Sequence, residues 1–170
     1  MTETTIDSLN PKAIWWTYLA KYDELKGSTR VNMALRNGAP HKPFPCLAIL
    51  GTSYVSSRDD KLPETSELEF LNEVSDELIL SVMRLVPSLY AGTFTNDLEQ
   101  VHFVYVQQLD GARAEFDKAH ALLCEGRMPI WFEREDPRWE QYLDFLCPNQ
   151  ATMEFYGYDL SEVEGNLARK

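Results

Sequence analysis

PCLAILGTSYVSSRDDKLPETSELEFLNEVSDELILSVMRLVPSLYAGTFTNDLEQVHFVYVQQ, residues 45–108, is the stretch that decides the fold class. Pro45 to Leu50 is short and continuously apolar, which suits a central strand covered on both faces. Ser66 and Glu69 then have capping-box spacing, in which each side chain satisfies a free amide of the first helical turn. Leu71, Val74, Leu78 and Val82 step by three or four and give one apolar stripe, and Pro87 ends the helix. Leu89 to Thr95 and Gln100 to Gln108 read as two strands joined by a turn at Asn96-Asp97.

Working outward, Asp110 can cap a second helix that carries Phe116, Ala119 and Leu123 on one face and stops at Gly126. Pro129 to Glu133 reads as the next strand. The elements from Pro45 to Glu133 therefore spell βαββαβ, the ferredoxin-like split βαβ, an antiparallel sheet with two helices on one face. Toward the N-terminus, Ala13 to Tyr22 is rich in Trp, Ile, Tyr and Thr and reads as a strand. Asp23 to Ser28 supplies turn chemistry, and Arg30 to Arg36 alternates, with Val31, Met33 and Leu35 on one face. This hairpin extends the sheet at one edge. Toward the C-terminus, Asp136-Pro137 opens a third helix with Asp as N-cap, Trp139, Tyr142, Leu143 and Leu146 as its buried face, and Pro148 as its stop. Asp159 and Glu162 mark a weaker last helix between Gly157 and Gly165. The expectation is one α+β domain over residues 13–148, a flexible leader over 1–12, and a C-terminal helical extension over 149–170 with a mobile end.

The chain has 170 residues, 44% of them hydrophobic, enough for one core of ordinary size. Its 27 acidic and 16 basic residues leave a formal charge of −11, which repels nucleic acid and anionic membrane. Neither is expected as a partner. Cys46, Cys124 and Cys147 are widely spaced and odd in number, without a CxxC pair, which fits a reducing, cytoplasmic setting. No stretch has the basic-then-apolar pattern of a secretory signal or the length of a membrane span.

Chemistry-bearing motifs are sparse. The phosphate-cradling glycine loops and the Gly-x-Ser-x-Gly elbow are missing. His120 and Cys124 lie one helical turn apart and could hold a metal only with His102 or His41, so they read as structural. His102, between Val101 and Phe103, reads as an outward-facing strand residue. No catalytic residue, metal or cofactor is assigned. The loop Gly51 to Thr65 exceeds the usual connection length, and its acids continue along the helix: Asp59, Asp60, Glu64, Glu73, Asp76 and Glu77. That surface is the candidate interaction face, suited to a protein partner with a basic surface. The expected role is non-catalytic, a regulator or adaptor. The alternative is an enzyme or small-ligand binder with a cleft beside the 51–65 loop, and homodimerisation through the edge hairpin is compatible with either.

The segment Arg134 to Pro148, with Asp136-Pro137, Trp139, Tyr142 and Pro148 as its fixed points, resembles the signature that closes the bacterial domain-of-unknown-function family 695. Trp15-Trp16, Leu62-Pro63, Gly92, Thr95, Phe103 and Tyr105 extend the resemblance over roughly Trp15 to Pro148. Lys61 and Asp97 depart from it, standing where that family tends to have glycine. The resemblance implies no activity and no catalytic residue. A similar closing segment and α+β layout occur in the regulator of ribonuclease activity B, which implies a protein-binding role by analogy.

Overall fold

The computed structural model describes residues 4–10 and 12–165. Six strands form one sheet: β1 (Trp15–Tyr22), β2 (Leu25–Asn32), β3 (Cys46–Ser53), β4 (Ser88–Asn96), β5 (Glu99–Val106) and β6 (Pro129–Glu135). Their spatial order is β1-β2-β4-β5-β3-β6, and every neighbouring pair is antiparallel. The helices are α1 (Ile6–Leu9), α2 (Thr65–Met83), α3 (Ala112–Leu123), α4 (Gln150–Tyr156) and α5 (Leu160–Gly165), with a 3₁₀ helix at Met33–Gly38 and a π-helical turn at Gln141–Leu146. The fold is thus α+β, a mixed structure around one antiparallel sheet.

Side chains alternate across the strands, so the sheet has two apolar faces and a core on each. On one face, Ala48, Leu50 and Val104 pack against Val74, Leu78 and Val82 of α2 and Phe116 of α3. On the other, Leu47, Phe103 and Tyr105 pack against Trp139, Tyr142 and Leu146. Burying a large apolar side chain stabilises by about 1.5–3 kcal/mol, so both covers matter to the sheet.

Several expectations are corrected. The second strand begins at Leu25 and ends at Asn32, where Arg30 to Arg36 was expected. The turn is only Asp23 and Glu24, both left-handed at φ 47° and 75°, as a two-residue hairpin turn requires. Gly27 sits within the strand, opposite Ala20, where a Cβ would meet the rings of Phe94 and Tyr22 at 2.6 Å. Met33 and Leu35 are buried from the 3₁₀ helix. The β4–β5 turn falls one residue later, at Asp97 and Leu98, again both with positive φ. The Ser66–Glu69 capping box is not formed. Glu64 is the N-cap of α2 and makes no side-chain cap bond, while the first-turn acid Glu67 is held by Arg127.

Helix α3 starts from left-handed Gly111 instead of an Asp110 cap, and its buried face is Ala112, Phe116 and His120, leaving Leu123 exposed. The third helix is not an ordinary α-helix. Trp139 is left-handed at φ 57°, and the chain then widens into the π-helical turn, with the Cys147 amide bonded to the Tyr142 carbonyl at 2.9 Å. The expected leader carries structure over residues 4–10. Thr5 and Ser8 form a capping box for α1, and the Asn10 side chain is buried and donates to the Tyr90 carbonyl at 3.3 Å. Residues 1–3 and 11 of that leader, and 166–170 of the expected extension, lie outside the described residues.

Candidate functional site

The β1–β2 hairpin overhangs the sheet past β4, and its Thr17, Ser28 and Arg30 stand across an open gap from α2. A cleft results, open between α2 and the sheet, with a volume of about 230 Å³. Its floor is polar because two cross-strand rows of side chains meet there. Thr17, Arg30, Thr93 and His102 stand opposite one another across β1, β2, β4 and β5. Ser28, Thr95 and Gln100 form the adjacent row. The wall is the middle of α2, where Asn72, Ser75 and Asp76 interrupt the apolar face.

The floor is hydrogen-bonded within itself. The Tyr90 hydroxyl contacts Thr93 Oγ1, and Thr93 Oγ1 lies 2.6 Å from His102 Nδ1. Gln100 donates to Thr95 Oγ1 at 3.0 Å. His102 is 3% exposed, so the expectation of an outward-facing residue is corrected: it faces the cleft beneath α2. Burial, helped by the nearby charge of Arg30, drives its pKa down to about 3, and the ring is neutral at physiological pH. Burial likewise pushes the Tyr90 hydroxyl up, against the opposing influence of Thr93 and Arg30. Arg30 is exposed at the mouth, its guanidinium 3.9 Å from the centroid of the Trp15 ring, a cation–π contact.

The acidic residues predicted as an interaction face differ in their partners and exposure. Asp59 is exposed. Asp60 is bound at 2.7 Å by Arg58, whose hydrogen bonds hold its carboxyl below the usual carboxylate range. Glu64 accepts from the Ser57 hydroxyl. Glu73 is exposed, Glu77 pairs with Arg84 at 3.1 Å, and Asp76 lines the cleft. The 51–65 loop is fastened down, with the Tyr54 hydroxyl donating to the Lys61 carbonyl at 2.6 Å and Ser56 to Leu62 at 2.7 Å. None of its residues lines the cleft, which opens on the overhang instead of beside this loop.

The Asp136 segment lies on the opposite face of the sheet. The buried Asp136 carboxylate accepts from the Tyr105 hydroxyl at 2.7 Å and from the amides of Glu140 and Gln141, each at 3.0 Å. Trp139 is fully buried, stacked on Tyr105 at 3.9 Å between ring centroids, and its indole donates to the Phe44 carbonyl at 2.9 Å. The Tyr142 hydroxyl donates to the Asn32 carbonyl at 2.6 Å. Pro137 is exposed in the turn and Pro148 is buried behind it.

Thiol chemistry is disfavoured throughout. Cys46, Cys124 and Cys147 are free, and burial raises the pKa of each, that of Cys147 to about 11. His120 meets Thr52, with Nε2 at 2.8 Å from Thr52 Oγ1. Among the described residues no three His, Cys, Asp or Glu side chains are grouped to hold a metal ion, and no helix is long and apolar enough to cross a membrane.

The outer edge of β1 is closed by the chain's own tyrosines. Tyr158 Oη lies 3.2 Å from the Thr17 amide and donates to its carbonyl at 2.6 Å, while Tyr156 Oη accepts from the Leu19 amide at 2.8 Å. These hydroxyls take the place of a seventh strand. The edge hairpin proposed for homodimerisation is therefore covered at two of its outward backbone positions.

Among known protein families, the Family of unknown function (DUF695) matches residues 13–147. No curated protein and no solved structure matches the chain.

Proposed function

The chain belongs to the Family of unknown function (DUF695), and from that premise we propose that it is a non-catalytic binding domain that takes a small polar ligand in the cleft between α2 and the β1–β2 overhang. The observation that carries this reading is the pairing of polarity with inertness. The cleft offers Arg30, His102 and a floor of hydroxyls and amides, yet His102 and Tyr90 are both held neutral. A histidine with a pKa near 3 is a poor general base at neutral pH but a good hydrogen-bond partner. The volume falls below the roughly 300–1,000 Å³ of pockets for drug-sized ligands, which suits a small metabolite. A binder of the native state alone raises the melting temperature. The test is a thermal-shift panel of small polar metabolites on the natural chain and on Arg30→Gln. At least one compound should stabilise the former and not the latter, and silence across the panel overturns the reading.

A second reading rests on charge. Arg58, Arg84 and Arg127 take Asp60, Glu77 and Glu67. Asp59, Glu69 and Glu73 stay exposed, with no cation in ion-pair distance among the described residues. A basic protein partner would complement those exposed carboxylates, and the likeness to the regulator of ribonuclease activity B supports the same role by analogy. Salt-sensitive capture of the partner, lost when Asp59, Asp60 and Glu73 become Lys, is the expected result. We read the β3–β6 unit as ferredoxin-like and the setting as cytoplasmic, supported by the βαββαβ element order and by three free thiols.

A further inference from the structure

Tyr90, Thr93 and His102 form a hydrogen-bonded relay beside Arg30: the Tyr90 hydroxyl contacts Thr93 Oγ1, and Thr93 Oγ1 lies 2.6 Å from His102 Nδ1. His102 Nε2 has no hydrogen-bond partner among the described residues, and unlike Thr29 Oγ1 it is not a sealed and unsatisfied buried atom. In the tautomer whose Nδ1 accepts from Thr93, Nε2 carries the proton. A side chain only 3% exposed thus presents one unused ring nitrogen to the cleft, beside the cation of Arg30.

Asp76 supplies the other sign. It lines the same cleft from α2, is exposed, and forms no ion pair with Arg30. Arg58, Arg84, Arg113, Arg127 and Arg138 are ion-paired elsewhere, whereas Arg30 and Asp76 share one small cavity without pairing to each other. A simple anion would meet Asp76 and the field of a chain with net charge −11, and a simple cation would meet Arg30. A molecule with one of each charge and no net charge avoids both penalties.

From this we infer that the cleft recognises a small zwitterion of the amino-acid class, its carboxylate held by Arg30 and His102 Nε2–H and its ammonium group by Asp76. The inference rests on the reading of the cleft as a ligand site and deepens it.

The experiment is calorimetric titration of the full chain with each of the twenty amino acids, and with the N-acetyl and methyl-ester forms of any that bind. One or more free amino acids should bind, and either derivative should bind about tenfold or more weakly, as expected when a charge-assisted hydrogen bond is lost. Arg30→Gln should weaken the free amino acid and its N-acetyl form alike. Asp76→Asn should weaken only the free form, and both substitutions lie at exposed positions. Failure of all twenty to bind, or equal binding of the N-acetyl form, overturns the inference. If another metabolite of the thermal-shift panel still binds in an Arg30-dependent way, the cleft reading stands while the zwitterion is wrong. If nothing binds by either method, both are wrong.

Discussion

His102 makes the stability of this protein acid-sensitive by a calculable amount. In the unfolded chain the imidazole takes up a proton near its ordinary value of 6.5, whereas in the folded chain burial and Arg30 delay this to about pH 3. Between those values the unfolded state binds more protons than the folded state, so stability falls as pH falls. The contribution is complete above 6.5 and is consumed on the way down toward 3. Each pH unit in that window costs about 1.4 kcal/mol per such group. From pH 7 to pH 5, about one and a half units lie below 6.5, which gives a loss of about 2 kcal/mol. That interval stays well above 3, so the figure depends only on the folded imidazole remaining neutral. The groups facing His102 are Arg30, Tyr90, Thr93 and Asp76.

The measurement is urea denaturation of the natural chain and of His102→Phe at pH 7 and pH 5. The variant loses the Thr93 contact and starts less stable, but its midpoint should move less with pH. Subtracting the two pH differences cancels the other titrating groups, among them His120, whose pKa is also lowered by burial. A difference of about 2 kcal/mol is expected, a sizeable part of a typical stability of roughly 5–15 kcal/mol. Parallel pH responses in the two proteins refute the argument, because they would mean that His102 is protonated, or solvated, in the native state.

Trp139→Ala removes a fully buried ring stacked on Tyr105 and leaves the Phe44 carbonyl without its donor, so a loss of about 3–5 kcal/mol is expected in the same assay. Trp139→Phe keeps most of the packing and should lose about 1 kcal/mol with the indole hydrogen bond; equal denaturation curves for all three proteins would place Trp139 outside the core. Tyr156→Phe with Tyr158→Phe uncovers the Thr17 and Leu19 backbone at the edge of β1. The double variant should self-associate more strongly than the natural chain in sedimentation, and identical sedimentation would show that the two hydroxyls do not guard that edge.

The sheet and its two covering helices were legible because their signals are local. Pro45 to Leu50 is apolar throughout, with Leu47 buried in one core and Ala48 and Leu50 in the other, and the stripe Leu71, Val74, Leu78, Val82 lies along α2 as its spacing required. The hairpin register was misread because Gly27 looks like a turn residue, while the turn itself uses Asp23 and Glu24, neither a typical left-handed residue pair. The Asp136 segment was misread for a related reason. Asp136 is a cap, but it serves the amides of Glu140 and Gln141, four and five residues on, because Trp139 has been folded inward between them. Nothing in the residue order distinguishes that arrangement from a helix start.

The cleft was hidden by a single inserted residue. Strict alternation along β4 places Tyr90, Gly92 and Phe94 on one face, and Thr93 and Thr95 on the other. The register instead shifts between Tyr90, opposite Val104, and Gly92, opposite Phe103, so Ala91 is an extra residue and the faces exchange. Tyr90, Thr93 and Thr95 then point the same way, and the relay from Tyr90 to His102 exists only because of that exchange. Gly92 makes the bulge compatible with its neighbours. A Cβ there would meet the Arg30 carbonyl oxygen at 2.6 Å on one strand and the Leu146 side chain at 3.2 Å from the opposite core. The backbone of the residue that supplies the cleft's cation thus rests against the one position in β4 without a side chain. The site is therefore coupled to the sheet's register and to the Asp136 segment behind it, which binds sequence features on both faces into one geometry.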